Sequence, residues 1–456
     1  MKNQVSKLKT PFINGSLFRN LMITFLFLGL SPIYAQQSWS LENCINYAAQ
    51  NSFTVKQKLI EIQSKTIQYD NTKMSIAPSI SASVGQNLDF GRSQVASSLI
   101  ISGNQTSTSF GVGLNMSLFE GFRTYHRLKS NQLDIQTTLY ELEQARENVE
   151  INVMAFYLQI LLNKEILEVA KVQEKISIEM VKKTEILVQN GKSSDAELYI
   201  AKSTLANDRY AVVEAENNLK LSKIDLAQLM NYPDVYSFDI QYDVKEQLIS
   251  DVLNKSIDVN AIINNSMQNR PALKAAFSRI EQTKREIKIA QSTWYPSLSL
   301  FANYGTGYNY MFTPNPLYPN VPFNDQFSSN SRQVVGVSLS IPIFDKLSTH
   351  YNVKLAKLNV QSQELQLDEN KRNLTKEIQQ AYTAAISSKE RYLSALEAYE
   401  SSKIAFDYEQ IRYDAGSSTQ YEFDDAKNKY LKAESQVIQA KFDFLFRMKI
   451  LEFYSK

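Results

Sequence analysis

Four segments of the chain alternate apolar residues with small or polar ones at a strict period of two. Ile80, Ala82 and Val84 alternate with Ser79, Ser81, Ser83 and Gly85, and Phe110, Val112, Leu114, Met116 and Leu118 with Ser109, Gly111, Gly113, Asn115 and Ser117. Further on, Leu298, Leu300, Ala302 and Tyr304 alternate with Ser297, Ser299, Phe301 and Asn303, and Val335, Val337, Leu339, Ile341 and Ile343 with Gly336, Ser338, Ser340 and Pro342. A period of two is the pattern of a strand with two unlike faces. Each segment can run to about ten residues, the length of a strand crossing a bilayer with lipid on one side and a wet lumen on the other. Aromatic residues flank the segments, with Phe119, Trp294, Tyr295 and Phe344 at one end and Phe90, Tyr308, Tyr310 and Phe312 at the other. Amphipathic rings favour the two membrane interfaces. A soluble sandwich with one buried face is the competing reading of these strands alone. Residues 88–107 and 308–332, the latter with Pro314, Pro316, Pro319 and Pro322, read as surface loops.

The period then changes. Between Phe122 and Pro233 the only glycine or proline is Gly191, and between Phe344 and the C-terminus the only one is Gly416. Each stretch predicts a helix of about seventy residues, on the order of 100 Å long, then a tight reversal and a helix of about forty. Val149, Val153, Phe156 and Ile160 form one apolar stripe, with Ile151, Met154, Leu158 and Leu161 forming a second beside it. A single stripe would suit a two-stranded coiled coil. Two adjacent stripes suit a helix packed between two others, as in a ring.

These elements occur twice. Asn51 precedes Pro78 by the same 27 residues that separate Asn269 from Pro296, and Phe119 precedes Gly191 by the same 72 that separate Phe344 from Gly416. The sequence predicts one membrane α+β structure of two repeats, 36–231 and 252–456, joined by a linker at 232–251. Each repeat reads as helix, two strands, long helix, turn, long helix. Four strands do not close a barrel, and an open edge in lipid leaves backbone groups unpaired. Several copies must therefore share a barrel, two giving eight strands and three giving twelve.

Composition refines this picture. Residues 1–35 read as a secretory signal, with Lys2, Lys7, Lys9 and Arg19 before an apolar run at 21–30 and a cleavage end at Ile33-Tyr34-Ala35. Removing four basic and no acidic residues takes the net charge from +2 to −2, so nucleic acid is not an expected partner. The lone Cys44 shares a helix face with Leu41, Ile45 and Ala48 and reads as packing. His126 and His350 lack companion ligands, so no metal site is expected. There is no P-loop, dinucleotide fingerprint or nucleophile elbow. The chain reads as no enzyme, and no cofactor is expected.

At this point the chain resembles the TolC-like outer membrane efflux proteins of Gram-negative bacteria, across essentially its whole mature region. The likeness rests on Leu41-Glu42-Asn43-Cys44-Ile45 with Ala48-Ala49-Gln50-Asn51, echoed by Asn269-Arg270-Pro271-Ala272-Leu273-Lys274. It rests also on the junctions Ala77-Pro78-Ser79-Ile80, Tyr295-Pro296-Ser297-Leu298, Leu118-Phe119-Glu120-Gly121 and Ile341-Pro342-Ile343-Phe344-Asp345. The hairpin tips Asn190-Gly191-Lys192-Ser193 and Tyr413-Asp414-Ala415-Gly416-Ser417-Ser418 complete it. One departure is Lys346-Leu347, where the family often has glycine.

The resemblance implies a homotrimer whose twelve-stranded outer-membrane barrel, four strands per chain, continues as a periplasmic α-helical barrel. Such a duct would passively carry substrates of a tripartite efflux or type I secretion system, docking on a periplasmic adaptor and an inner-membrane transporter. It implies that Glu422 and Asp425, six and nine residues after Gly416, ring the pore entrance, and that Tyr413 helps hold it shut. The tips (Asn190, Gly191, Lys192, Ser193, Asp414, Gly416, Ser417, Ser418) would meet the adaptor. Acids in the first turn of a helix are also what the helix dipole favours, a plainer reading of Glu422 and Asp425. A periplasmic coiled-coil scaffold without a pore would explain the helices but not the strands.

Overall fold

A computed structural model of the chain describes residues 39–96, 99–102, 104–241, 253, 257–314 and 319–455. The expected signal segment, 1–35, lies outside the described residues, as does the second half of the linker, 242–251.

The first repeat comprises α1 (Leu41–Asn51), α2 (Phe53–Met74), β1 (Ser79–Asp89), β2 (Arg92–Ala96), β3 (Leu99–Ser102), β4 (Gln105–Glu120), α3 (Arg123–Gln189) and α4 (Asp195–Leu229). The second comprises α5 (Val259–Asn269), α6 (Pro271–Gln291), β5 (Ser297–Met311), α7 (Phe323–Ser329), β6 (Arg332–Ser340), α8 (Ser348–Asp414) and α9 (Gln420–Ser455). Helices α3 and α8 are both 67 residues long, α1 and α5 both 11, and α4 and α9 35 and 36. The duplication seen in the breakers is thus a duplication of structure.

The repeats differ from expectation in three places. The opening helix of each is broken in two. Ser52 leaves the helical region and caps α2 by accepting the Val55 N–H, and Arg270 is extended immediately before Pro271, whose ring starts α6. The loop at 88–107 contains a short β2–β3 ribbon, and the loop at 308–332 contains α7. Strand β6 stops at Ser340, short of Ile341 and Ile343, because its partner β5 begins at Ser297.

The four long strands form one antiparallel sheet in the order β1-β4-β5-β6, so the hairpin of each repeat joins the other in the middle. The register keeps the faces separate. Ser81, Gly113 and Asn303 lie in one row, as do Ser83, Gly111 and Gly305, while Ile80, Leu114, Ala302 and Val335 align on the other face. On that apolar face Ile80, Val84, Val112, Val335, Val337 and Leu339 are exposed, as are the flanking Phe90, Trp294, Tyr295 and Phe344. Apolar exposure on this scale needs a non-aqueous neighbour. Among the described residues no helix is long and apolar enough to cross a membrane.

The core lies where the helices are most crowded. Val149, Val153, Met154, Ile160 and Leu161 of α3 are buried, with Ile151, Phe156 and Leu158 partly so, as the two stripes require. Val149, Val153, Ile160 and Leu161, with Phe156 and Leu158 against them, meet Cys44, Ala48, Leu226, Met230, Phe442 and Phe444 in one cluster. Burial pushes the Cys44 thiol up to about 12, so it stays protonated packing. The segment 232–241 runs back across this region, with Ile240 pairing Trp39, whose ring meets Tyr47, Tyr232 and Phe238. In the second repeat Arg270 pairs with Glu147 at 3.0 Å and lies over the rings of Phe453 and Tyr454, fixing the C-terminal turn.

Each strand enters its long helix through two successive left-handed residues, Gly121 and Phe122 (φ 62° and 64°) in one repeat and Lys346 and Leu347 (57° and 64°) in the other. The departure from glycine therefore leaves the turn intact. Asp345 holds it by accepting the backbone N–H (2.8 Å) and hydroxyl of Thr349. Those bonds hold the Asp345 carboxyl below the usual carboxylate range.

Candidate functional site

The two helical hairpins end in tips of one design. At the first, Gly191 takes φ 68°, the Lys192 N–H reaches the Leu187 carbonyl at 2.8 Å and the Gly191 N–H reaches Val188 at 2.9 Å. At the second, Gly416 takes φ 71°, with Ser417 bonded to Arg412 at 2.9 Å and Gly416 to Tyr413 at 3.1 Å. Both are glycine-terminated helix ends that satisfy the last carbonyls, and only glycine adopts that conformation without strain. Asn190, Lys192, Asp414, Ser417 and Ser418 sit around these turns, at the ends of the hairpins. Ser193 donates to Glu197, and Ser194 caps α4 by accepting the Glu197 N–H at 3.3 Å.

The returning helix α9 starts with a reciprocal cap. Thr419 Oγ1 accepts the Glu422 N–H at 3.2 Å, and the Glu422 carboxylate accepts the Thr419 N–H at 3.0 Å. It also accepts the Ser418 hydroxyl at 2.9 Å and the Thr419 hydroxyl at 3.2 Å. These bonds, the backbone one foremost, hold the Glu422 carboxyl below its usual range. Asp425, one turn on, pairs with Lys429 at 2.6 Å, and both Glu422 and Asp425 are exposed. The two expected entrance acids thus share an exposed face, each with a local partner. Glu197 holds the equivalent capping place in the first tip, so only Asp425 has no acidic counterpart there, Ile200 standing in its place.

Tyr413 binds the tips together. Its hydroxyl donates to Gln420 Oε1 at 2.6 Å and its ring lies 4.9 Å from that of Phe423. Lys183 of α3 stands 4.5 Å over the same ring and pairs with Asp414 at 2.7 Å. Half-burial raises the Tyr413 hydroxyl above its ordinary range, so it is a neutral donor.

Sequence reasoning missed the group behind this face. Lys427 of α9 is 3% exposed and Asp208 of α4 5%, and they lie 3.3 Å apart. Lys427 Nζ donates to Ser177 Oγ at 2.6 Å, Ser177 donates to Asp208, and Gln173 Nε2 donates to Asp208 Oδ1 at 2.6 Å. Three helices, α3, α4 and α9, meet on this network. Local pattern gave no signal, because Lys202 occupies the equivalent place in the first tip and is exposed.

A four-stranded sheet with an apolar outer face, continuous with helices of 67 residues, defines a channel-forming outer-membrane protein. The family model for outer membrane efflux proteins matches residues 44–232 and 262–445, and the chain belongs to that family. It is an outer membrane efflux channel with a large periplasmic part, and its family is one of channels, not enzymes. Among similar proteins, toxin and drug export protein A of Aggregatibacter actinomycetemcomitans is 18% identical over 358 residues, 78% of this chain and 74% of that one. The outer membrane protein TolC of Escherichia coli is 23% identical over 353 residues, 75% of this chain and 68% of that one. The CmeC outer membrane channel of Campylobacter jejuni shares the fold at a TM-score of 0.74 and 18% identity, over 91% of this chain and 85% of that chain. Among the described residues no group of three or more His, Cys, Asp or Glu is placed to hold a metal.

Proposed function

We propose that three copies close into a duct that passively conducts substrates out of the cell, its barrel in the outer membrane and its tips on a periplasmic adaptor and inner-membrane transporter. One observation carries this reading: both lateral edges of the chain are unfinished, and the internal repeat makes them complementary. Strands β1 and β6 are the open edges of the sheet and run antiparallel to one another. Beside β1, helix α2 exposes Phe53, Ile60, Ile67 and Met74 at a spacing of seven, and beside β6, helix α8 exposes Tyr351, Leu355, Leu358 and Leu365. Within the chain α6 meets α3 where Ser278 Oγ donates to the Leu133 carbonyl at 3.1 Å. The repeat offsets, 218 and 225 residues, carry those two positions onto Ile60 and Leu358. The same operation sets Ile341 opposite Ala82 of a neighbour, completing β6 beyond Ser340.

Closed rings follow from a head-to-tail interface of this kind. Eight strands enclose an interior that side chains fill, whereas the serines and glycines of the inner face suit the wider, twelve-stranded opening of three copies. In this assembly residues 1–35 are the export signal, 36–231 and 252–456 are the repeats, and 232–251 joins them. Glu422 and Asp425 face the narrowed entrance, Tyr413 keeps it shut, and Asn190, Gly191, Lys192, Ser193, Asp414, Gly416, Ser417 and Ser418 meet the adaptor. Rings of carboxylates attract cations and repel anions.

The test is single-channel current from detergent-purified mature protein in a planar bilayer. A small cation-selective conductance, blocked by multivalent cations from one side, is expected. E422Q/D425N keeps the cap, since glutamine serves it as well as glutamate, and should weaken the block about tenfold or more with assembly intact. Unchanged block removes both acids from the entrance. A protein that washes off membranes in high salt and carries no current is a scaffold.

A further inference from the structure

Strand β5 outruns the strand beside it. Its pairing with β6 ends at Gly305, whereas β4 accompanies it to Met311. Residues 306–311 therefore have one edge without a strand, and three side-chain amides take its place. Asn320 accepts the Met311 N–H and donates to the Met311 carbonyl, both at 2.8 Å. Gln326 does the same for Asn309, at 2.9 and 2.8 Å. Asn330 donates to the Gly307 carbonyl at 2.7 Å. A primary amide carries both a donor and an acceptor, so Asn320 and Gln326 each make the two-bond pair that a strand residue would make.

These amides seat α7 on the apolar face of the sheet. The Phe323 and Phe327 rings lie 6.3 and 5.6 Å from that of Phe110, and Phe323 lies 5.3 Å from Tyr308. Phe110 pairs with Thr306, and both share the face of Ile80, Leu114 and Ala302. Thr306 is only 6% exposed, and its hydroxyl is satisfied by donating to the Phe327 carbonyl at 2.6 Å. The other side of α7 carries Asn324, Asp325 and Ser328, all exposed. Phe323 and Phe327 also keep exposed area at its flank.

We propose that α7 is an outer-leaflet contact site for lipid, lying in the membrane plane with its phenylalanines against acyl chains and its polar back among headgroups. The inference rests on the apolar face of the sheet meeting lipid and is independent of how many copies close the barrel. Continuity with that face identifies the occupant. Apolar rows run from Leu298–Leu339 to Val84–Phe110–Thr306, and the next row is Gln86, Thr108 and Tyr308. At ~3.3 Å per residue, Leu298 to Thr306 covers about 26 Å of strand, or about 20 Å of depth at a tilt of roughly 40°. With aromatic residues beyond each end, that approaches the ~25 Å apolar band of such barrels. Helix α7 therefore sits where hydrocarbon gives way to headgroups, at the end of the sheet away from the periplasmic helices. Deeper, its polar back would be costly to bury. The amide-closed edge fits the same level, since backbone groups left unpaired are tolerable in water and costly in lipid.

The test is spin labelling of the full assembled protein, with Cys44→Ala, in liposomes of phosphatidylethanolamine and phosphatidylglycerol. Collisions with a nickel chelate, confined to water, report depth. Val335→Cys on the sheet gives the lipid reference, and Tyr236→Cys, far from the sheet in sequence and exposed, gives the water reference. Ser328→Cys should collide about threefold or more below Tyr236→Cys and about threefold or more above Val335→Cys, as at a headgroup boundary. A value equal to Tyr236→Cys lifts α7 clear of the membrane and overturns the proposal. So does a value as low as Val335→Cys, which places it in hydrocarbon. Adding Phe323→Ser and Phe327→Ser should move the Ser328 label to the water value while the Val335 label stays dry. A Ser328 label that does not move overturns lipid as the partner of those rings. Failure of the lipid-face reading itself shows separately, as a Val335 label as wet as Tyr236→Cys.

Discussion

Asp208→Asn is the sharpest test of the packing behind the tips. The substitution keeps the shape of the side chain and one accepting oxygen, so it removes the charge and keeps one of the two bonds from Gln173 and Ser177. Lys427, 3% exposed, then keeps an ammonium with no counter-charge, since its remaining contact is the Ser177 hydroxyl at 2.6 Å. Breaking a buried pair in this way costs about 3–5 kcal/mol. The lower figure applies here, because one hydrogen bond to the ammonium survives. The cost falls on the docking of α9, which alone among the three helices carries the lysine. About 3 kcal/mol corresponds to a roughly 150-fold rise in local opening. Amide hydrogen exchange reads this directly, as faster exchange of residues 420–430 with the rest of the fold unchanged. K427M/D208L replaces both charges with apolar groups of similar reach. It should return exchange to within about tenfold of the unaltered protein, since such replacements are neutral or stabilising. Exchange in Asp208→Asn within about threefold of the unaltered protein would mean that water reaches the pair in the working assembly, and the energetic argument would fail.

The strand-to-helix turns make a paired prediction. Lys346→Gly should stabilise the extracted protein by about 0.5–1 kcal/mol, by relieving a left-handed lysine, whereas Gly121→Ala should cost about 2 kcal/mol or more. There a Cβ would stand 2.5 Å from the Ser292 carbonyl oxygen and 2.7 Å from Tyr295 Cβ. Thermal melts of the two variants in detergent decide it. The α9 cap should also depend on pH. Because the folded Glu422 carboxyl is held below its ordinary value of 4.5, its contribution is present above that value and lost as pH falls through the lowered one. Exchange at 420–424 should therefore quicken on acidification, and E422Q, which is neutral at every pH, should abolish that response and hold neutral-pH exchange near the faster acid value.

Much of the fold was legible because its signals are local and repeated. Gly191 and Gly416, the only breakers in long stretches, gave the hairpin tips, and the alternation at 79–85, 109–118, 297–304 and 335–340 gave the strands and their faces. The misplaced details each depend on something outside the local pattern. The end of β6 is set by where β5 begins, and the split at Ser52 by a serine that caps as readily as it continues a helix. In the candidate entrance, Glu422 and Asp425 were marked by the family resemblance, since spacing alone reads them as first-turn helix acids. The Lys427–Asp208–Ser177 network was not marked, since its members lie on three helices and 219 residues separate the charged pair. The periodicity of α9 marks Lys427 only as one more charge.

The two repeats share backbone geometry closely and differ in side chains where their surroundings differ. Gly121 and Lys346 adopt φ 62° and 57° at equivalent turns, yet only Gly121 lies against another part of its own chain, where Ser292 and Tyr295 leave no room for a side chain. Lys346 is exposed and can be any residue that tolerates the turn. Surroundings also separate Asp208 from Ala433 and Glu165 from Glu390. Asp208 and Glu165 are held by ion pairs within the single polypeptide, whereas Glu390 is exposed and Ala433 is a buried small residue.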